Sequence, residues 1–130
     1  MRRLTQFILI AVVALVVGGC FAFPRILFFN DSGRAIVVQS ALRKYEIDWG
    51  EGRGIVDGSL TDRMRISSAQ GAAHYRFTYP PRSYRLVGLF RDTYVWQLEP
   101  DGKVYAVRPT VRLPARDLAE QPEGFPLVPW

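Results

Sequence analysis

Apolar and polar residues alternate with a period of two along most of the chain from Arg25 onward. This alternation gives an extended strand one face for a core and one for water, whereas an amphipathic helix needs a period near 3.6. Residues that favour turns interrupt the pattern roughly every 8–12 residues, as in domains built from short strands. The sequence therefore predicts an all-β domain.

Turn chemistry sets the expected strand boundaries. Asn30-Asp31-Ser32-Gly33 predicts a hairpin between the first two strands, and Pro100-Asp101-Gly102 predicts another. Gly50, Gly52 and Gly54 are expected to break the chain, and short helical pieces are predicted at 40–44 and 115–120. The predicted strands cover residues 25–29, 35–39, 45–49, 63–67, 74–79, 84–90, 94–98 and 104–107, with an edge strand at 110–113.

About seven or eight short strands in about 90 residues predict a small antiparallel β-sandwich, which the strand count alone compares with the immunoglobulin-like type, with a small barrel as the alternative. We divide the chain into a signal peptide or membrane anchor (1–23), which includes an N-terminal hydrophobic helix, a β-sandwich domain (24–113) and a Pro-rich tail (114–130). The tail either docks on a partner or covers an edge of its own sheet.

Charge argues against nucleic acid as a partner. The net charge is +5, and it falls to +3 without Arg2 and Arg3 of the N-terminal segment. The remaining arginines are scattered along the sequence, whereas nucleic-acid binding calls for a clustered basic stripe. A weak attraction of a tethered domain to anionic lipid headgroups is compatible with this charge.

The N-terminal segment has the pattern of an export signal. Arg2 and Arg3 precede an uncharged apolar run from Phe7 to Val17, which small residues follow. Because Lys and Arg resist translocation, the N-terminus is expected to stay cytoplasmic and the rest of the chain to face outward. We therefore expect a domain in the cell envelope, facing the periplasm or exterior.

Val17-Gly18-Gly19-Cys20 resembles the lipobox of bacterial lipoprotein precursors. The resemblance is confined to the first twenty residues, and Gly18 departs from the more usual Leu, Ala, Ser or Thr. It implies diacylglycerol on the Cys20 sulfur, cleavage before Cys20 and acylation of the new amino terminus. Several acyl chains together give stable anchoring, whereas a single chain is marginal.

An uncleaved transmembrane anchor is the alternative for the same segment. The apolar run continues through Phe21-Ala22-Phe23, and Arg25 is the first charge after Arg3. Residues 4–23 are long enough to cross a bilayer, which takes about 20 apolar residues. In either case Cys20 is the only cysteine, so no intramolecular disulfide can form.

His74 is the only histidine and thus the only candidate for a histidine base. Ser67, Ser68 and Asp62 are near it in sequence, but a nucleophile, base and orienting group must also meet in space. The strand pattern places His74 opposite the apolar face of Tyr75, so we interpret it as a surface histidine and assign no catalytic residue.

No metal or cofactor site is predicted. One His and one Cys cannot build a zinc site, and Asp48, Glu51 and Asp57 lack the spacing of a calcium loop. The glycine cluster at 50–54 is not followed by a helix that could bind phosphate. The aromatic residues are expected mainly in the core. They are Trp49, Tyr75, Phe77, Tyr79, Tyr84, Tyr94, Trp96 and Tyr105.

These observations favour a non-enzymatic, membrane-anchored envelope module that contacts another envelope protein or a surface polymer. The alternatives are a single-pass subunit of an envelope complex and an enzyme accessory centred on His74. All three share the membrane as a partner.

Overall fold

The computed structural model describes residues 24–40, 43–55, 63–76, 78–89 and 91–130. These residues form nine strands and a short 3₁₀ helix at Arg82–Tyr84, and they contain no α-helix, so the all-β prediction is confirmed. The strands are β1 (Arg25–Asn30), β2 (Ile36–Gln39), β3 (Lys44–Ile47), β4 (Gly52–Ile55), β5 (Arg63–Ser68), β6 (Gly71–Arg76), β7 (Arg85–Leu86), β8 (Thr93–Leu98) and β9 (Val104–Val107).

The strands form two sheets. Sheet A has the order β4-β1-β8, and both β7 and β9 pair with the remaining edge of β8. The antiparallel prediction is wrong for sheet A, which is mixed. Strands β1 and β8 run parallel, because the chain crosses to sheet B between them, while the other pairs of sheet A are antiparallel. Sheet B has the order β3-β2-β5-β6 and is antiparallel throughout. Among the described residues, therefore, the domain is a two-sheet β structure.

Strand direction distinguishes two ends of the domain. The end at which the chain enters at Arg25 also holds the start of β5 and the ends of β4 and β6, and we call it the basal end. The distal end holds Asn30, the start of β2 and the end of β3. The Asn30 amide links the sheets there by donating to the Ile47 carbonyl over 3.0 Å.

A hydrophobic core fills the space between the sheets. Alternate residues of β1, β3 and β5 are buried, as a period of two requires when one face of a strand meets water. Sheet A contributes Phe28 and Trp96, and sheet B contributes Val38 and Ile66. The aromatic side chains divide, because Tyr75, Tyr84, Tyr94 and Trp96 are buried while Trp49 and Tyr79 are exposed.

Strand β8 is buried on both faces, because the C-terminal tail covers the outer face of sheet A. Val95 and Val107 pack with Ala115 there, and Leu113 and Leu118 lie against them. The single-sided alternation expected for this strand is therefore absent, and its burial resembles that of a central strand between two layers.

The tail also occupies the outer edge of β9. Leu127 and Val104 exchange two backbone hydrogen bonds of 2.8 and 3.0 Å. Two residues along, the Gln121 side-chain amide accepts from the Ala106 N–H over 2.9 Å and donates to the Ala106 carbonyl over 3.1 Å. The edge groups of this strand are thus satisfied within the chain, which protects the edge from pairing with other strands.

The hairpin predicted at Asn30–Gly33 is wrong, because β1 and β2 lie in different sheets. Asn30 is fully buried, and its amide donates to the carbonyl of Arg34 over 2.7 Å. Its Oδ1 accepts hydrogen bonds from the N–H and hydroxyl of Ser32. These bonds hold the turn across the core, so that it connects the sheets as an arch.

We expect Ser32→Ala to destabilise the domain by about 1 kcal/mol, the usual net contribution of one hydrogen bond. The Ser32 hydroxyl donates to Asn30 Oδ1 at 2.6 Å in a buried environment. Ser40→Ala is the control, because the Ser40 hydroxyl makes only a 3.5 Å bond at the surface. Urea unfolding of both variants checks the prediction, and equal losses of stability would contradict it.

The predicted break at the glycine cluster is also wrong beyond Gly50, since Gly52–Ile55 is strand β4. A methyl group added at Gly52 would lie 3.4 Å from the Phe29 ring, and one at Gly54 would lie 3.0 Å from Arg25. Side chains of β1 therefore cover the backbone of the glycine strand. This cross-strand cover compensates for the weak strand tendency of glycine.

Other predicted strands shorten or disappear. Of the predicted strand 84–90, Arg85–Leu86 is strand β7 and 87–89 are irregular, while residue 90 lies outside the described residues. Residues 110–113 form no strand. The predicted strand 74–79 starts earlier and ends earlier, at Gly71–Arg76. Residues 115–120 are irregular, not helical, because they cover sheet A.

Candidate functional site

Cys20 lies outside the described residues, and along the chain it precedes Pro24 and the first strand. Residues 1–23 join the domain at Pro24, immediately before β1 begins at Arg25. The chain therefore enters the domain at the basal end. None of the helical structure in the described part of the chain is long and apolar enough to cross a membrane.

His74 lies on β6 opposite Arg65 of β5, and it is exposed as predicted. The ring centroids of His74 and Trp130 lie 6.3 Å apart, and Arg65 is the cross-strand partner of His74. The neighbours of His74 are therefore aromatic and cationic. Ser67 and Ser68 pair instead with Ala72 and Gly71, nearer the distal end. Asp62 lies outside the described residues, and within those residues no hydrogen bond joins His74 to a serine or carboxylate.

Trp130 lies among basic side chains at the edge of sheet B. Its backbone N–H donates to the His74 carbonyl over 3.0 Å, which extends the tail along β6. The guanidinium carbons of Arg76 and Arg63 lie 4.8 and 5.3 Å from its ring centroid. Cations over an indole face are attracted by its π electrons. The result is an exposed aromatic and basic surface near the basal end.

The acidic loop around Gly50, which lacks the residue spacing of a calcium loop, is a surface turn. Asp48 and Glu51 flank Gly50, and the Glu51 N–H donates to the Asp48 carbonyl over 3.2 Å. Asp57 lies outside the described residues. In the ranges that the structure describes, no three side chains of His, Cys, Asp or Glu are grouped to hold a metal ion.

The distal end carries an open cleft of about 360 Å³ that the sequence did not predict. Three turns form it: the arch after β1, the β5–β6 turn and the β8–β9 turn. Its floor is apolar and comes from both sheets, while its walls carry hydroxyl, amide, guanidinium and carboxylate groups. The polar residues that line it include Ser32, Arg34, Ser67, Ser68, Gln70, Tyr75, Glu99 and Asp101.

Tyr75 joins the two sides of this cleft. It lies on β6 of sheet B, and its hydroxyl donates to the Gly102 carbonyl of the β8–β9 turn over 2.6 Å. Burial, with the nearby Asp101 charge, raises the pKa of the Tyr75 phenol. Tyr75 therefore stays neutral, and its hydrogen bond to Gly102 links sheet B to the β8–β9 turn of sheet A.

The β8–β9 turn gives the cleft a carboxylate rim. Burial raises the pKa of Glu99, with smaller contributions from Asp31 and Asp101, although Gln97 donates to it and lowers the pKa. Asp101 accepts from the Tyr105 hydroxyl over 2.6 Å, and this bond is the main reason that the pKa of Tyr105 rises to about 12. The side-chain oxygens of Glu99 and Asp101 line this rim, and they can accept hydrogen bonds from a ligand.

Sequence patterns could not identify this cleft. Its residues lie between positions 32 and 102, and they meet only because β2 crosses to the second sheet. The sequence predicts the Pro100-Asp101-Gly102 turn, but it does not predict that this turn forms one wall of a cleft.

No protein-family model matches this chain, and no curated protein or solved structure is significantly similar to it. Its functional assignment therefore depends on the N-terminal segment and on the surfaces at the two ends of the domain.

Proposed function

We propose that this chain is a membrane-anchored cell-envelope protein whose domain is a non-enzymatic binding module. The observation that carries the proposal is the N-terminal segment, in which a basic start, an apolar run and Val17-Gly18-Gly19-Cys20 lead into β1 at Arg25. Only residues 21–24 separate Cys20 from the first strand. The domain would therefore stand close to the outer surface of the membrane, with its basal end toward the lipid.

The domain itself is proposed to be a β-sandwich of the immunoglobulin-like class. Support comes from the two sheets that share one core and from the number of short strands. Such frameworks serve many functions, so the architecture by itself does not select one.

The distal cleft is the proposed contact site for a partner protein or polymer of the envelope. It opens at the end opposite the chain entry, so an anchored domain would present it away from the membrane. Its apolar floor and polar walls suit a ligand group that is partly buried and partly hydrogen-bonded. The carboxylate rim favours a group that carries donors or positive charge.

The test of anchoring is the intact mass of the protein extracted from membranes. We expect the wild-type protein to lack residues 1–19 and to carry acyl chains, because the lipobox directs both modifications to Cys20. Cys20→Ala is expected to abolish both changes, since it removes the nucleophilic sulfur. Ala22→Ser is the control, because it keeps the cysteine and should be processed like the wild type.

A full-length, unmodified mass in both the wild type and Cys20→Ala would contradict the lipoprotein. It would favour the single-pass alternative, in which the apolar run through Phe21-Ala22-Phe23 remains in the bilayer. Exchange of residues 1–23 for an unrelated anchor would then test whether this segment itself contacts other subunits.

A further inference from the structure

The connection between β7 and β8 exposes three aliphatic side chains at the basal end. Leu86, Val87 and Leu89 are 55%, 70% and 90% exposed. Leu86 pairs with Thr93 at the start of β8, next to Arg25 where the chain enters. Neighbouring exposed aliphatic side chains form an apolar patch, and contiguous apolar patches mark sites of contact with proteins or membranes.

Local contacts support this loop, which we call the basal loop (residues 86–89). Arg85 and Asp92 form an ion pair of 2.9 Å across its base, and the Arg25 N–H donates to the Asp92 carbonyl over 2.8 Å. A methyl group added at Gly88 would lie only 2.1 Å from the Arg91 carbonyl oxygen. The loop is therefore closely folded at its base and tied to the strand that leads from residues 1–23.

The basal end is also basic. Strand ends and flanking positions there carry cationic side chains, namely Arg25, Arg43, Lys44, Arg63, Arg76, Arg85 and Arg91. Among the described residues of these strand ends and the basal loop, the carboxylate is Asp92, which is paired with Arg85. The sequence adds Asp57 and Asp62 between β4 and β5, outside the described residues.

The distal end has the opposite character. Its turns hold most of the described carboxylates of the strand region, namely Asp31, Asp48, Glu51, Glu99 and Asp101, with Arg34 and Lys103 among them. At the basal end, by contrast, aromatic residues accompany the cationic ones. The ring centroids of Tyr79 and Tyr94 lie 5.3 Å apart there, and Trp130 lies beside Arg76. Exposed aliphatic groups with arginine, tyrosine and tryptophan around them are typical of surfaces at a lipid–water interface.

We propose that the basal loop inserts into the outer face of the bilayer that anchors residues 1–23, with the surrounding arginines on anionic headgroups. The inference rests on the proposed function, because the anchor brings this end of the domain to the lipid. Leu86, Val87 and Leu89 enter the region between headgroups and acyl chains, and the arginines are attracted to the negative surface. The domain is then oriented with its basal end on the membrane, and the distal cleft faces away from the membrane.

The test uses the full-length protein in vesicles and an environment-sensitive fluorophore on a single new cysteine. Leu89→Cys places the label on the basal loop, and Lys103→Cys places it on the exposed turn at the distal end. Wild-type protein treated with the same label gives the background from Cys20. The vesicles contain phosphatidylcholine with or without phosphatidylglycerol, and brominated acyl chains act as the quencher.

We expect the label at position 89 to shift to the blue and to be quenched several-fold more strongly than the label at 103. Val87→Asp in the Leu89→Cys protein should reduce that quenching, because a charge at the tip disfavours insertion. Phosphatidylglycerol should increase the quenching at 89, since the arginines gain anionic partners.

Three results would overturn the inference in distinguishable ways. Equal, water-like signals at 89 and 103 in protein that floats with the vesicles would leave anchoring intact and refute insertion. A blue shift at 89 without bromine quenching would mean that protein, such as a second copy, covers the loop. Failure of the protein to float with vesicles would contradict anchoring itself and the loop proposal with it.

Discussion

Phe28→Ala is expected to lower the free energy of unfolding by about 3–5 kcal/mol, the usual cost of removing a buried aromatic ring. Phe28 is completely buried on β1, between Arg53 of β4 and Trp96 of β8 in the register of sheet A. Small domains have about 5–15 kcal/mol of stability in total. With no cysteine after Cys20, no disulfide can compensate for the loss.

Phe29→Ala is the matched control for this variant. Phe29 is the next residue of the same strand, but its ring lies on the outer face over Gly52 and is only partly buried. We expect it to lose roughly a third as much stability, because water already reaches part of the ring. Urea unfolding of the full-length protein in detergent, followed by tryptophan fluorescence, checks both, and similar losses would refute the assigned core face.

Gln97→Leu is expected to cost about 2–4 kcal/mol and to loosen the tail from sheet A. Gln97 is fully buried, accepts from the Ala115 N–H over 2.7 Å and donates to the Ala115 carbonyl over 3.0 Å. Leucine has a similar size but cannot pair with either group. Both backbone groups of Ala115 would then lose their partners in a buried place, where each costs about 1–3 kcal/mol.

The measurement combines urea unfolding with limited trypsin digestion. Arg116 is exposed next to Ala115, so release of this segment should speed cleavage after Arg116. Gln121→Ala is the control, because Gln121 makes an equivalent pair of bonds to Ala106 at a partly exposed site where water can replace it. We expect it to cost about 1 kcal/mol, and a loss as large as that of Gln97→Leu would contradict the importance of burial.

Phe28→Ala and Gln97→Leu test two different interactions that stabilise the domain. Phe28 holds the sheets together through the core, whereas Gln97 holds the tail on the outer face of β8. If the tail were a separate arm, Gln97→Leu would change protease sensitivity at Arg116 without changing the unfolding midpoint. In the structure the tail is part of the fold, since Phe125 packs on Trp96 with 5.7 Å between ring centroids.

The candidate surfaces differ in how much of them the sequence could reveal. The proposed lipidation site at Cys20 is a linear motif, so a short stretch of sequence is enough to predict it. His74 could be placed on a strand face because alternation is local. The distal cleft and the basal loop could not be found, since each depends on which strand ends meet.

The sequence by itself determined the all-β class, the positions of most strands and the Pro100-Asp101-Gly102 hairpin between β8 and β9. Alternation and turn chemistry act over a few residues, so they are visible in any short window. Only the tertiary structure decided that the turn at Asn30 crosses between sheets, that Gly52–Ile55 is a strand and that the tail closes the edge of β9. These outcomes depend on hydrogen bonds and burial between residues distant in sequence, such as Asn30 with Ile47, Phe29 with Gly52 and Val104 with Leu127.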